Sequence, residues 1–120
     1  TDAAVIGRAA ALGMVSLPGV FTPSEAFAAL AAGASGLKFF PASVLGAGGI
    51  AAMRAVLPRD AVLGAVGGVA DAQFAGYAAV GVRVFGLGSS LYQAGMGAEE
   101  VGARGVAAVA AYDAVFRKQG

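Results

Sequence analysis

The chain has 120 residues, 58% of them hydrophobic and 12% charged, with a net charge of +1. That length suffices for one domain with its own core, and the near-neutral balance, with no basic block or acidic tail, excludes the charge signature of a nucleic-acid or anionic-membrane partner. Cysteine and histidine are both absent, which removes disulfides, thiolate chemistry, imidazole metal sites and a histidine general base.

Thr1 to Leu12 reads as a helix, capped by Thr1 or Asp2 and stopped by Gly13. Met14-Val15-Ser16-Leu17 is predicted as a short strand, ended by Pro18-Gly19. Thr22-Pro23-Ser24-Glu25 opens the next helix with a capping box and proline at its first position. That helix runs to about Gly33, and Leu37 to Phe40 forms the second strand, ended by Pro41. A loop with Gly46, Gly48 and Gly49 leads to a helix from about Ile50 to Leu57.

After a turn at Pro58-Arg59-Asp60, Ala61 to Val66 is the third strand, followed at once by Gly67-Gly68. Asp71 to Ala79 is helical, with Phe74 and Tyr77 on one face and Gly81 as its stop. Val82 to Leu87 is the fourth strand, and Gly88-Ser89-Ser90 follows. The remainder is a long Ala/Val-rich helix, with Glu99 and Glu100 in its first turn and Arg117 and Lys118 in its last.

Strand starts recur about every 20–26 residues, each followed by a loop and a helix. Such a βα repeat implies parallel strands with right-handed crossovers. The strands are short and apolar without clean alternation, as expected where both faces are covered. Residues 1–120 thus read as one α/β unit: a leading helix plus four parallel βα units, half of a TIM (β/α)8 barrel. A complete barrel takes roughly 200–250 residues. The competing fold is a small open doubly wound sheet.

Lys38 lies in the middle of the strand-like run Gly36-Leu37-Lys38-Phe39-Phe40-Pro41-Ala42, and the chain's other lysine, Lys118, lies in the polar tail. Burial among Leu and Phe disfavours a charged amine, and a neutral lysine is the nucleophile of Schiff-base chemistry. The plain alternative is a lysine that carries its head out to water along an apolar wall or pairs with a carboxylate.

In both folds functional groups gather at the C-terminal ends of the strands. Gly67-Gly68 and Gly88-Ser89 follow consecutive strands there, where backbone N–H groups can approach an anion. The plain alternative is that these glycines are turns, since 20 of 120 residues are glycine. Asp2, Glu25, Asp71, Glu99 and Glu100 sit at helix starts, Asp60 in a turn and Asp113 late in the last helix. None reads as following a strand, so no proton shuttle for imine or aldol chemistry is evident.

Four motifs together resemble the class I aldolases of 2-dehydro-3-deoxy-6-phosphosugar acids, over essentially the whole chain. They are Pro18-Gly19-Val20-Phe21-Thr22-Pro23-Ser24-Glu25-Ala26, Leu37-Lys38-Phe39-Phe40-Pro41-Ala42-Ser43, Val66-Gly67-Gly68-Val69 and Gly86-Leu87-Gly88-Ser89-Ser90-Leu91-Tyr92. The resemblance implies a metal- and cofactor-independent cytoplasmic lyase, a trimer of (β/α)8 barrels. Its substrate would be a phosphorylated 2-keto-3-deoxy sugar acid, cleaved to pyruvate and glyceraldehyde 3-phosphate.

It further implies that Lys38 forms the Schiff base, that Gly67, Gly68, Gly88 and Ser89 bind the phosphate, and that Pro41 shapes the pocket floor. Val66 stands where the galactonate branch has valine and the gluconate branch threonine. A hydroxyl there can bond a sugar hydroxyl of one configuration, and valine cannot; strand packing is the other reading of Val66.

The family's glutamate, a carboxylate-binding arginine and a threonine come from the first half of the barrel. The resemblance therefore makes this chain the C-terminal half, a fragment expected to be inactive alone. The chain starts at Thr1 without methionine, and Thr1-Asp2-Ala3-Ala4 lacks the features of a signal peptide. Two functions from other classes compete: a non-catalytic phosphate-binding half-barrel with Lys38 as an anion contact, and a purely structural assembly unit.

Overall fold

A computed structural model describes residues 1–117. Helix α1 (Ala3–Ala11) is followed by β1 (Gly19–Val20), α2 (Pro23–Ala31), β2 (Leu37–Phe39), α3 (Ala42–Arg54) and β3 (Leu63–Val66). A 3₁₀ turn (Asp71–Gln73) runs into α4 (Phe74–Ala79), then β4 (Val82–Gly86) and α5 (Ala98–Phe116).

The caps act as the residue types demand. The Asp2 carboxylate accepts from Val5 N at 3.0 Å and starts α1. Thr22 and Glu25 form the capping box of α2, with Pro23 at its first position.

The sheet is wholly parallel in the order β1-β2-β3-β4. Strands laid down in sequence order, without a reversal, are those of a singly wound sheet; a doubly wound sheet reverses its order at a switch point. The period-2 alternation of strand side chains divides the sheet into two faces. Val20, Leu37, Phe39, Leu63, Ala65 and Val82 face the helices and are at most 2% exposed. They pack with Ala26 and Ala29 of α2, Ile50 and Met53 of α3, and Phe74 and Tyr77 of α4. Each large apolar side chain buried there contributes about 1.5–3 kcal/mol. The opposite face carries the register row Gly19, Lys38, Gly64 and Val84. Among the described residues no helix covers that row, so the expectation of two covered faces fails for this chain.

A register shift between β3 and β4 lets both Val82 and Phe85 face the helices. Phe85 then stacks on Phe74 with centroids 4.3 Å apart and meets Tyr112 of α5 edge-on at 6.2 Å. Arg83, beside the shift, bonds the carbonyls of Ala78 and Val82 at 3.0 Å each. This cluster docks α5 on the end of the sheet.

Two boundaries differ from the sequence reading. The first strand is Gly19–Val20, not Met14 to Leu17. The run before it is extended, and the carbonyls of Ser16 and Pro18 accept from Gly36 N and Lys38 N at 3.3 and 2.9 Å. Pro18 has no N–H to return a bond, so the regular ladder starts only at Gly19. Helix α3 starts at Ala42 rather than Ile50, directly after Pro41, and Gly46 (φ 68°, ψ 169°) interrupts it. Helix α5 starts at Ala98, with Glu99 and Glu100 in its first turn as the sequence predicts. Of the basic residues placed in its last turn, Arg117 is the C-cap and pairs with Asp113 at 3.1 Å; Lys118 lies outside the described residues.

Candidate active site

Lys38 is the central residue of β2, with Gly19 of β1 and Gly64 of β3 as its register partners. Its neighbours Leu37 and Phe39 point into the helix layer at 0% exposure, so Lys38 points to the open face. A Cβ on Gly19 would stand 3.4 Å from Lys38 Cε and 3.9 Å from Nζ. The two glycines leave the lysine flanked by backbone instead of side chains.

The lysine is half-buried, not sealed among Leu and Phe as its sequence context suggests. Its Nζ lies 5.5 Å from the centroid of the Phe40 ring, a cation–π distance. Among the described residues it has no hydrogen-bond or ion-pair partner. An amine so placed is open to an incoming carbonyl from the uncovered face.

Phe40 also touches the glycine pair after β3. A Cβ on Gly67 would fall 3.0 Å from the Phe40 ring and 3.1 Å from Pro41 Cα; one on Gly68 would fall 2.6 Å from Ser43 Cβ. Both glycines have positive φ, 92° and 71°, which L side chains seldom adopt. Ser43 N donates to Gly67 O at 3.0 Å. The exit of β2, with Pro41, and the exit of β3 therefore form one packed surface beside Lys38. Val66 lies on the open face, where a Cβ on Gly86 would stand 2.6 Å from its Cγ2. It fills space that Gly86 leaves.

The loop after β4 joins this surface through Ser90, whose hydroxyl donates to Val69 O at 2.9 Å. Gly88 O accepts from Leu91 N at 2.9 Å and Tyr92 N at 3.0 Å, and Ser89 O accepts from Gln93 Nε2 at 3.1 Å. Those bonds occupy the carbonyls of the turn. The N–H groups of Gly67, Gly68, Gly88 and Ser89 find no acceptor among the described residues, so each can donate to an anion.

Glu25 needs a correction. With β1 at Gly19–Val20, it does follow the C-terminal end of a strand, and that strand adjoins Lys38's own. Its Oε2 is engaged, accepting from Phe21 N and Thr22 N at 2.8 Å each and from Thr22 Oγ1 at 3.0 Å. These donors, the Phe21 N–H first, hold its pKa below the ordinary 4.5. It is a cap and not a poised proton shuttle.

Sequence reasoning placed Lys38, Pro41, Val66, Gly67 and Gly68 on strands or their ends, and the fold brings all five together. Gly88 and Ser89 join them through the Ser90 bond. Pro18-Gly19 reads from the sequence as a strand end where functional groups gather. Neither Gly19 nor Gly64 as a register partner of Lys38, nor the roles of Phe40 and Ser90, can be read there, because register and ring placement are long-range facts.

The KDPG and KHG aldolase family model matches residues 2–114. The chain belongs to this aldolase family. It is 64% identical over 118 residues to a probable 2-dehydro-3-deoxy-6-phosphogalactonate aldolase of Rhizobium meliloti (strain 1021), covering 98% of this chain and 56% of that protein. It is 46% identical over 108 residues to the 2-dehydro-3-deoxy-6-phosphogalactonate aldolase of Escherichia coli (strain K12), covering 90% of this chain and 53% of that one. A solved structure described as native KDPGal superposes with a TM-score of 0.93 at 43% identity, over 98% of this chain and 57% of that chain. The chain thus spans about half the length of the curated aldolases it matches, and its parallel sheet has the architecture of half a barrel.

Proposed function

We propose that this chain supplies the imine-forming and phosphate-binding half of a class I aldolase that cleaves 2-dehydro-3-deoxy-6-phosphogalactonate to pyruvate and glyceraldehyde 3-phosphate. The observation that carries it is Lys38: an amine on the open face, flanked by Gly19 and Gly64, beside the Gly67-Gly68 surface. The names of both curated relatives support the galactonate substrate.

The chemistry follows from the amine. Lys38 Nζ adds to the C2 ketone and water leaves, giving an iminium. A base takes the C4 hydroxyl proton; the C3–C4 bond breaks, its electron pair moves to the iminium nitrogen, and glyceraldehyde 3-phosphate departs. Protonation of the enamine at C3 and hydrolysis release pyruvate and restore the amine. Those proton transfers need an acid–base group within reach. With Glu25 engaged as a cap, we assign them to the glutamate that the family resemblance implies in the other half of the barrel. The 120 residues by themselves then bind more readily than they turn over.

The free N–H groups of Gly67, Gly68, Gly88 and Ser89, with the Ser89 hydroxyl, hold the phosphate in this reading. Pro41 forms the floor beside Phe40, and Val66 biases the configuration accepted at the sugar carbons. The family description supports a second substrate reading, KDPG or KHG. A trimeric assembly and a cytoplasmic location belong to the same proposal; no described helix is long and apolar enough to cross a membrane.

The test is pyruvate release by the full-length protein from the galactonate and gluconate epimers. Lys38→Arg should lower kcat on the order of 10⁴-fold, and Val66→Thr should move the epimer ratio toward gluconate. Near-normal turnover by K38R would remove the Schiff-base role of Lys38, and no pyruvate release by the unaltered full-length protein would remove the aldolase reading and favour a phosphate-binding module.

A further inference from the structure

Arg104 of α5 reaches 14 residues back to the loop after β4, where its guanidinium donates to Ser90 O at 3.2 Å. Its other terminal nitrogen bonds Glu100 Oε1 at 3.1 Å, one helical turn away. Ser90 in turn donates its hydroxyl to Val69 O at 2.9 Å. Glu100, Arg104, Ser90 and Val69 thus form one polar chain from α5 through the loop after β4 to the loop after β3.

Behind the Ser90 turn lies a cleft of about 250 Å³, lined by Asp71, Leu87, Ser90, Leu91, Arg104 and Ala108. Side-chain packing does not fill this gap between the loop and α5; Arg104 bridges it. The side of the turn that Arg104 meets is the carbonyl side. The carbonyls of Gly88, Ser89 and Ser90 all have donors, whereas the N–H groups of Gly88 and Ser89 have no acceptor among the described residues. Ser90 O shares its peptide plane with Leu91 N–H, which donates to Gly88 O, and Gly88 O shares its plane with Ser89 N–H. The charge-assisted bond to Ser90 O therefore steadies the Ser89 N–H through these two linked planes. It also places a positive charge behind the turn.

We infer that Arg104, anchored by Glu100, is a positioning residue for phosphate recognition: it holds the Gly88–Ser90 turn in its N–H-presenting form and ties it to the Gly67-Gly68 loop. This role presupposes the aldolase reading above. Arg104 acts through Ser90 and is not assigned a contact with substrate.

The experiment compares cleavage by the full-length protein of 2-dehydro-3-deoxy-6-phosphogalactonate with that of its unphosphorylated counterpart. In R104M the KM for the phosphorylated substrate should rise about tenfold with kcat within about twofold. Cleavage of the unphosphorylated compound and borohydride trapping of pyruvate should not change. R104K, which keeps a donor and the charge, should recover part of the KM. An unchanged KM in folded R104M, or equal losses on both substrates, overturns the inference while leaving the aldolase reading intact. Should R104M not fold, Glu100→Gln carries the test: KM rises about two- to threefold if the anchor matters, and a flat KM overturns it. An unaltered protein with no preference for the phosphorylated compound overturns the phosphate reading itself, and this role with it.

Discussion

Lys38 owes its placement to what its neighbours lack. In a parallel sheet the register partners of a strand residue project on the same face, and here both partners, Gly19 and Gly64, are glycine. Gly19→Val should crowd Lys38 Cε, already 3.4 Å from an ideal Cβ there, and slow adduct formation on the order of 10–100-fold. An unchanged trapping rate in a folded G19V protein would show that the gap is incidental. Gly67→Ala should cost about 1–3 kcal/mol, since it meets φ 92° and the Phe40 ring at 3.0 Å together. Urea unfolding checks it, and a midpoint equal to the parent's would contradict the close packing. Lys38 was legible because it is the only lysine outside the tail. Gly19 as its partner was not, because register is set by chain pairing across about twenty residues and no local pattern records it.

At the scale of elements, the start of α2 was the most readable feature, since a capping box is written in four consecutive residues. Thr22→Ala should cost about 0.5–2 kcal/mol by thermal or urea unfolding; no loss would mean that Glu25 alone caps the helix. Glu25 adds a pH dependence. Its folded pKa lies below the ordinary 4.5, lowered first by the Phe21 N–H. Its stabilising contribution is therefore complete above about pH 4.5 and is lost as pH falls through the lower folded value. Glu25→Gln should flatten that part of the acid limb of the stability curve while leaving stability near neutral pH only modestly changed. An acid limb identical in both proteins would assign it to other carboxylates. The elements that were misread share one cause. β1 and the start of α3 both abut prolines, where a missing N–H shifts the boundary, and a glycine inside α3 hides the continuity of its two halves.

For the whole molecule, the repeat period was enough to read parallel βα units, and the order β1-β2-β3-β4 decides between the two candidate folds. What the repeat does not encode is which face stays open. β1 and β4 each pair on one side only among the described residues, and unpaired edges recruit other strands. Apolar side chains stand out beside them: Val5, Leu12 and Val15 are 67%, 56% and 77% exposed, and Val106 and Val109 of α5 are 72% and 63%. The 120-residue chain, isolated, should accordingly associate with a second copy in sedimentation velocity, with a melting temperature that rises with concentration. A concentration-independent monomer would contradict this.

The most direct measurement is borohydride reduction in the presence of pyruvate, followed by intact mass and peptide mapping, on the full-length protein and on the 120-residue chain. A reduced pyruvyl adduct on the peptide containing Lys38 is the result expected of the full-length protein, and the same adduct in the shorter chain would show that half a barrel keeps its imine pocket. A folded full-length protein that carries no adduct at Lys38 would contradict the assignment of this lysine, and with it the aldolase chemistry proposed for the chain.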